Sequence, residues 1–357
     1  MGNWLLYGAY GYTGQLLAEE AVRRGHRPVL AGRNEAKLVA LGRQMNLPWQ
    51  AFDLSDPVRT AAIVAKFDAV MHAAGPFVHT AVPMIEACLS GQAHYLDITG
   101  EITVLENTLG YYAHAREQGV ALVSGVGFDI VPTDCLGAYV AGQLADASEL
   151  SIAIKSLSEV SAGTANTMIE MLGTQSGGPG SLVRRNGKLV PQALQKDTIE
   201  VTFSDGRTQT VFPIPWGDLA TAETTTGIPN VTTYMALPVS PRLVGLGTSA
   251  GKLLQIGPLR QLTQTLISKA ISGPDEQVRQ NARSYVWAQA SNERGESVET
   301  WLETVEAYRF TAEAGVRCIE HLLANELAGA LTPAQAFGPD FVLEIPGTMR
   351  LDSLPQE

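Results

Sequence analysis

Cysteine is scarce in this sequence, and the three that occur, Cys88, Cys135 and Cys318, are far apart, with no CxxC spacing and no nearby histidine pair. This pattern excludes a disulfide framework and a structural zinc site, and it favours a reducing compartment. The amino terminus lacks the basic region of a signal peptide, and no window of about 18 residues is continuously apolar. We therefore expect a cytoplasmic protein with no metal site and no integral membrane segment.

Positive charge is also in deficit, because 25 Lys and Arg residues stand against 36 Asp and Glu and give a formal net charge of −11. Nucleic acid binding depends on surplus Lys and Arg, so we expect no nucleic acid partner. Any anionic ligand has to be held by a local site.

The first part of the chain alternates short apolar runs with segments of helical periodicity, which is typical of βαβ units and a parallel sheet. At 357 residues the chain is also longer than the about 250–300 at which a single core stops growing, so two domains are expected. The predicted strands are 3–8, 27–32, 49–53, 68–73, 93–97 and 120–124, with helices near 13–24, 35–45, 57–66, 80–90 and 103–118.

Three glycines, in the stretch GAYGYTG at residues 8–14, lie between the first predicted strand and the first predicted helix. Glycines in this position permit a tight turn and close approach of a pyrophosphate, and the helix amino end supplies N–H groups and a positive dipole. The spacing is GxxGxxG rather than GxGxxG. In this context it predicts a dinucleotide-binding turn, with a purely structural turn as the alternative.

The second strand leads into LAGRNEAKL, in which Arg33 rather than an acid directly follows the strand. NAD sites usually place Asp or Glu here to bind the ribose 2′-hydroxyl, whereas a guanidinium can pair with the 2′-phosphate of NADP. Lys37 adds charge one turn along the helix, and Asn34 is interpreted as its N-cap and included among the cofactor contacts. The sequence thus favours NADP(H) over NAD, with a solvated Arg33 as the alternative.

Two further strand ends are expected to contact the cofactor, since ligands bind at the carboxyl edge of such sheets. Asp53 and Leu54 follow the third strand, where the adenine would lie. The fourth strand ends in HAAGPF, in which Ala74, Gly75 and Pro76 are placed beside the nicotinamide ribose. His72, in the same strand, is interpreted as a core histidine.

Candidate groups for proton transfer follow the fourth, fifth and sixth strands. They are His79, Tyr95, Asp97, Glu101 and Asp129, and each also has a structural interpretation, such as a helix or turn cap. The Tyr and Lys pair of short-chain dehydrogenases, four residues apart, does not occur in this sequence.

The motifs GAYGYTG, LAGRNEAKL, AAGPF, HYLDITGE and GFDIVPTD, in that order, resemble the saccharopine dehydrogenase-like NADP-binding oxidoreductases, a family that includes trans-acting enoyl reductases. The likeness continues at residues 163–172, 215–230, 308–316 and 331–347. It implies a Rossmann domain followed by a second α/β domain. It also implies a cofactor-binding role for Gly8, Gly11, Tyr12, Thr13, Gly14, Arg33 and Gly75.

After about residue 148 apolar residues alternate with polar ones, as in strands with one buried face. Strands are predicted at 148–157, 198–205, 206–214, 230–238, 283–290 and 297–304, and helices at about 164–173, 242–255, 258–272 and 308–329. We interpret 173–188, which carries Arg184, Arg185 and Lys188, as a solvated loop, with an anion contact as the alternative, and we place Trp216 and Asp218 in another loop.

The predicted fold is α/β, with a Rossmann doubly wound parallel sheet and a second α+β domain built on a mostly antiparallel sheet. The predicted boundaries are 1–134 for the Rossmann domain, 135–307 for the substrate and dimerisation domain, and 308–357 for a carboxyl-terminal helix and tail that pack back on the Rossmann domain. One exposed sheet face would suit a homodimer.

The predicted activity is NADPH-dependent hydride transfer to a C=N or C=C bond of a small or acyl substrate in the interdomain cleft. Two alternatives stay open. One is an NAD-linked amino acid dehydrogenase. The other is a regulator that binds NADP without turning it over, since no acid/base dyad can be identified.

Overall fold

The computed structural model describes residues 2–156, 181–192, 198–236 and 276–354. The chain divides into two compact units, one formed by residues up to 131 together with 308–341, the other by the described residues of 132–307 and 342–354. The helices predicted at 164–173, 242–255 and 258–272 lie outside the described residues.

The strands, numbered in chain order, are β1 Trp4–Tyr7, β2 Val29–Gly32, β3 Trp49–Ala51, β4 Ala69–His72, β5 His94–Asp97, β6 Ala121–Val123, β7 Glu149–Ser156, β8 Ser181–Arg185, β9 Lys188–Gln192, β10 Ile199–Thr202, β11 Thr208–Pro213, β12 Asn230–Ala236, β13 Arg283–Ser291, β14 Ser297–Val305, β15 Gly329–Ala330 and β16 Met349–Leu351.

The helices are α1 Tyr12–Arg23, α2 Glu35–Met45, α3 Pro57–Val64, α4 Phe77–Gly91, α5 Ile102–Gly110, α6 Tyr112–Gln118, α7 Val131–Gln143, α8 Asp218–Thr226, α9 Glu276–Asn281, α10 Ala307–Ala324 and α11 Pro333–Phe337.

The first unit contains a seven-stranded sheet in the order β3-β2-β1-β4-β5-β6-β15, in which every pair is parallel. Its first six strands follow the classic order of a dinucleotide-binding fold, which confirms the predicted Rossmann sheet. β1 is buried at all four positions, as expected of a central parallel strand. The final strand, β15, was not predicted, because two residues give no readable periodicity.

Helix α10 belongs to the first unit and contacts α1 through charged side chains. Arg24 at the end of α1 pairs with Glu320, which also contacts His26 at 2.9 Å. His321 packs edge-on against the rings of Phe337 and Phe341. These contacts attach a distant part of the chain to the Rossmann sheet.

The second unit contains a sheet in the order β10-β11-β12-β7-β13-β14-β16, with the β8-β9 hairpin attached to β12. All of its pairs are antiparallel except β12 with β7. The predicted mostly antiparallel sheet is therefore confirmed, and a strand occurs at each of the six predicted positions. Gly137 of α7 lies against Leu150 and Ile152, so α7 packs on one face of β7.

Two segments of the second unit differ from prediction. Residues 181–192, of which 181–188 were assigned to a solvated loop, form the β8-β9 hairpin around Asn186 and Gly187, which both have positive φ. An Asn-Gly pair favours this kind of turn. Asp218, assigned to a loop, begins α8, where its carboxylate lies in the first turn.

The buried Arg184 guanidinium donates to the carbonyl oxygens of Leu219 and Gly187 and pairs with Glu223 at 3.0 Å. These contacts tie the β8-β9 hairpin to α8. The alternative in which this arginine meets an anionic ligand is therefore not supported.

The carboxyl-terminal tail was assigned as a whole to the first domain, but residues 342–354 group with the second unit. The reason is that β16 pairs with β14 in the second sheet, and Arg350 stacks on the Tyr139 ring at 3.3 Å from its centroid. A three-residue strand after a long helix carries too little pattern to show which sheet it joins.

No helix in the described ranges combines the length and the apolar composition needed to cross a bilayer. Within the same ranges, no group of three or more His, Cys, Asp or Glu side chains is arranged to hold a metal ion.

Candidate functional site: the carboxyl edge of the parallel sheet

The glycine turn after β1 is shaped by close backbone contacts. Gly8 has φ +89°, and a Cβ there would come within 2.6 Å of the Ala73 backbone. A Cβ on Gly14 would overlap the carbonyl oxygen of Gly8. These two glycines are therefore required by the packing of α1 and β4 against β1.

Gly11 differs from the other two glycines, because a Cβ there would meet only the Gly8 carbonyl oxygen, at 3.2 Å. Gly11 is the N-cap of α1 and provides no side-chain cap. The fold itself thus demands glycine less strictly here than at positions 8 and 14, whereas a pyrophosphate at the helix amino end requires an uncovered backbone. The turn fits the phosphates of a dinucleotide.

A pocket of about 470 Å³ lies at the end of β2 and is lined by Tyr10, Arg33, Asn34 and Lys37. Arg33 and Lys37 are exposed, and among the described residues neither pairs with a carboxylate. Asn34 caps α2 by accepting a hydrogen bond from the Lys37 backbone N–H at 3.0 Å, as expected. Two cations at this strand end that pair with no carboxylate among the described residues fit the 2′-phosphate of NADP.

Asp53 and Leu54 follow β3 on the same edge of the sheet. The exposed Asp53 carboxylate accepts hydrogen bonds from the backbone N–H and the hydroxyl of Ser55, which lower its pKa. Arg33 is near enough that its charge contributes to this lowering of the pKa. Burial raises the pKa of the Tyr7 phenol, which lies beneath these groups, to about 12, and Arg33 partly opposes that rise.

The loop after β4, containing Ala74, Gly75 and Pro76, has a cis peptide bond between its last two residues. The Thr80 hydroxyl donates to the Ala74 carbonyl oxygen at 2.8 Å. Gly75 and Pro76 are exposed, so the backbone is open to a ligand at this point.

Glu101 fixes the start of α4, although it was predicted as a catalytic candidate. Its carboxylate is buried and accepts hydrogen bonds from the backbone N–H groups of Phe77 and Val78, at 2.9 and 2.8 Å. A carboxylate at a helix amino end is stabilised by the N–H groups and the dipole there. This geometry supports a positioning role.

Tyr95 and Asp97, also catalytic candidates, are fully buried in a polar network. The Asp97 carboxylate accepts hydrogen bonds from the Tyr95 and Ser124 hydroxyls, both at 2.8 Å, and from the backbone N–H groups of Thr99 and Gly125. Burial raises the pKa of Asp97, and these hydrogen bonds oppose the rise. With four donors on one carboxylate, the placement argues against direct contact with a substrate.

His72 extends the network, with Nδ1 at 3.0 Å from the Tyr95 hydroxyl. Burial lowers the pKa of His72 to about 3, so the imidazole is neutral at physiological pH. The chain of contacts from His72 to Ser124 joins the ends of β4, β5 and β6. Its evident effect is to hold the carboxyl edge of the sheet in register.

Asp129 is the catalytic candidate whose environment best suits proton transfer. Its carboxyl lies against Gly100, whose Cβ position would be 2.9 Å from Oδ2. Although part of its surface stays exposed, burial raises the pKa of Asp129 to about 6. A carboxyl with this pKa is partly protonated near neutral pH. His79, in the first turn of α4, is exposed.

Two residues of α10 contact the strand-end loops in a way that was not expected from the sequence. Tyr308 of α10 packs edge-on against the Tyr12 ring, with centroids 5.1 Å apart. The Thr311 hydroxyl, also from α10, accepts a hydrogen bond from the Phe128 backbone N–H at 3.0 Å. Nothing in the local pattern of α10 signals these contacts, because they join positions almost 200 or 300 residues apart.

One comparison with known protein families matches most of the parallel-sheet part of the first unit. Residues 4–123 match the family model described as the saccharopine dehydrogenase NADP binding domain. This match confirms the predicted cofactor type and the resemblance drawn from the motifs.

Two curated relatives come from Mycobacterium tuberculosis. One, provisionally named a trans-acting enoyl reductase, is 32% identical over 192 residues, covering 49% of this chain and 45% of that protein. The other, named a trans-acting enoyl reductase, is 29% identical over 191 residues, covering 49% of this chain and 46% of that protein. The similarity thus spans less than half the length of these relatives.

Among solved structures, the apo form of histidine-tagged saccharopine dehydrogenase (L-Glu forming) from Saccharomyces cerevisiae aligns with a TM-score of 0.64. The alignment covers 96% of both chains at 12% sequence identity. At this identity the likeness shows a shared fold.

Proposed function

We propose that this protein is an NADPH-dependent oxidoreductase that reduces a C=N or C=C bond of a small or acyl substrate, because residues 4–123 match the model of the saccharopine dehydrogenase NADP binding domain. The observation that carries the proposal is the glycine turn at Gly11 together with two cations one βα unit later, Arg33 and Lys37, which pair with no carboxylate among the described residues. The names of the enoyl reductase relatives support the reductive direction.

The residues that would hold NADP(H) divide by the part of the cofactor they face. Gly8, Gly11 and Gly14, with Tyr12 and Thr13 at the start of α1, would bind the pyrophosphate. Arg33, Asn34 and Lys37 would bind the 2′-phosphate, Asp53 and Leu54 the adenine side, and Ala74, Gly75 and Pro76 the nicotinamide ribose. When bound, the cofactor supplies a hydride.

Reduction of C=N or C=C consumes one proton together with the hydride. We assign the proton to the Asp129 carboxyl, because its raised pKa of about 6 keeps a fraction protonated near neutral pH. Glu101 and Asp97 serve as positioning residues, since the first holds the amino end of α4 and the second joins β5 to the loop after β6. His79 is the other exposed candidate for the proton donor.

The test is stopped-flow absorbance of the reduced nicotinamide band with a panel of enoyl thioesters and imines. We expect oxidation of NADPH with at least one class, and a loss of about 100-fold or more in the rate for Asp129→Asn. The matched variant His79→Asn should keep most of the rate. A rate lost with His79→Asn and kept with Asp129→Asn would transfer the donor role to His79.

A second candidate is a regulator that binds NADP(H) without turnover. It is favoured by the enclosure of Tyr95 and Asp97 and by the structural engagement of Glu101, which leave few accessible acids near the turn. Tight NADPH binding with no oxidation by any substrate class would support the regulator and overturn the oxidoreductase proposal.

A further inference from the structure

Tyr10 lies inside the glycine motif, between Gly8 and Gly11, and its half-buried ring covers the end of β2. A Cβ on Gly32 would be 2.7 Å from the Tyr10 ring, so the ring packs directly on the Gly32 backbone. The side-chain amide of Gln15 donates to the Tyr10 carbonyl oxygen at 3.1 Å, which fixes the backbone of the turn. Tyr10 therefore forms one wall of the pocket that contains Arg33 and Lys37.

The Lys37 ammonium lies over the face of this ring, with Nζ 5.5 Å from the centroid. This distance is within the range of a cation–π interaction. Because no carboxylate among the described residues pairs with Lys37, the ring is the group that restrains its flexible side chain.

The Tyr10 hydroxyl makes a third contact, since it accepts a hydrogen bond from the Asn34 backbone N–H at 3.3 Å. Asn34 directly follows Arg33 and caps α2. The Tyr10 side chain thus contacts three residues: Gly32 at the strand end, Asn34 and Lys37.

We propose that Tyr10 is a specificity-determining residue that favours a 2′-phosphorylated adenine nucleotide by holding the Lys37 ammonium beside Arg33. This inference rests on the proposed NADP(H) binding. Tyr10 acts through Lys37, which its ring restrains, so it is a positioning residue.

The physical reason for this preference is the loss of conformational entropy when two exposed cationic side chains are ordered around one phosphate. A free lysine side chain loses rotamer freedom when it binds, and that loss reduces affinity. An ammonium already placed over a ring loses less. The gain in affinity is confined to ligands that carry the 2′-phosphate, because a nucleotide without this phosphate does not contact Lys37.

The experiment is isothermal titration calorimetry of the full chain with adenosine 2′,5′-bisphosphate and with adenosine 5′-monophosphate. For Tyr10→Leu we expect the bisphosphate to bind about 3- to 10-fold more weakly, with little change for the monophosphate. Tyr10→Phe keeps the ring and should lie close to the unaltered protein. Tyr112→Leu, a substitution of an exposed tyrosine on α6, is the matched control.

A double-mutant cycle tests whether the effect passes through Lys37. Lys37→Met should weaken bisphosphate binding in the unaltered protein and have a clearly smaller effect in the Tyr10→Leu background. Equal losses for both nucleotides, or the same Lys37→Met effect in both backgrounds, would overturn the proposal. Thermal unfolding of each variant shows whether a loss of binding follows from a loss of folding.

These fragments bind without any reaction, so the result is independent of turnover. Selective loss of the bisphosphate together with no NADPH oxidation would retain the Tyr10 role and reject the oxidoreductase. A wild-type chain that binds neither fragment would reject both.

Discussion

The carbonyl oxygen of Gly8 lies closer than van der Waals contact to the position that a Cβ of Gly14 would take, so that any side chain at position 14 would overlap that oxygen. This contact joins the first turn of α1 to the end of β1. It sets the direction of the helix amino end toward the carboxyl edge of the parallel sheet.

Gly14→Ala should therefore destabilise the protein and remove dinucleotide binding. The backbone has to shift to admit the methyl group, at a cost of about 1–3 kcal/mol in the free energy of unfolding. Urea unfolding and NADP⁺ titration measure the two effects. Gly142→Ala is the matched control, because nothing lies within 4 Å of a Cβ at that position. An unchanged Gly14→Ala protein would contradict the packing described.

Arg33→Ala should weaken NADP⁺ binding by about 10- to 100-fold while NAD⁺ binding stays nearly constant, because hydrogen bonds to a charged phosphate are among the stronger ones. Fluorescence or calorimetric titration with both cofactors gives the ratio. Arg43→Ala, an exposed arginine in the last turn of α2, should change neither affinity. Equal weakening of both cofactors would show that Arg33 does not read the 2′-phosphate.

Glu101→Gln should lower the free energy of unfolding by about 1–2 kcal/mol, because the amide cannot accept both backbone N–H groups at the start of α4. Chemical denaturation measures the change. Glu117→Gln, at an exposed position of α6, provides the comparison. If stability is kept but NADPH oxidation is lost, Glu101 acts in the reaction rather than as a helix cap.

Tyr95→Phe should cost about 1–3 kcal/mol of stability, because it removes a buried hydroxyl that contacts both Asp97 and His72. The rate of NADPH oxidation should change little, since the hydroxyl is fully buried. Tyr112→Phe controls for the loss of a hydroxyl at an exposed site. A rate that falls while stability is retained would restore Tyr95 as a catalytic residue.

Asp129 should make stability depend on pH. Its pKa is about 6 in the folded protein and about 3.9 when unfolded, so the unfolded state binds fewer protons between these values. The stabilisation is fully present below about pH 4 and is lost as pH rises through 6, a change of about 2 kcal/mol after allowance for partial exposure.

The measurement is urea unfolding from pH 4 to pH 8 for the unaltered protein and for Asp129→Asn, which cannot titrate. Subtracting the two profiles removes the contribution of all other groups. The difference should slope between about pH 4 and pH 6 and be flat above. A flat difference throughout would mean that the folded protein does not perturb this carboxyl.

The sequence by itself determined the parallel sheet, the glycine turn and the preference for NADP. These features are local. Continuous apolar runs specify buried strands, three glycines permit the tight turn after β1, and LAGRNEAKL places Arg33, not an acid, directly after the second strand. The Asn-Gly pair at residues 186 and 187 is likewise a local signal, because it favours the tight turn of the β8-β9 hairpin.

Only the tertiary structure decided what the polar residues at the strand ends do. Asp97, Glu101 and Asp129 are all acids at or after the ends of parallel strands. Asp97 accepts hydrogen bonds from four donors, Glu101 caps a helix, and Asp129 has a raised pKa. The difference arises from neighbours supplied by other parts of the chain, as does the pairing of β16 with β14. Burial and hydrogen-bond partners depend on long-range contacts, and these leave no periodic mark on the sequence around each residue.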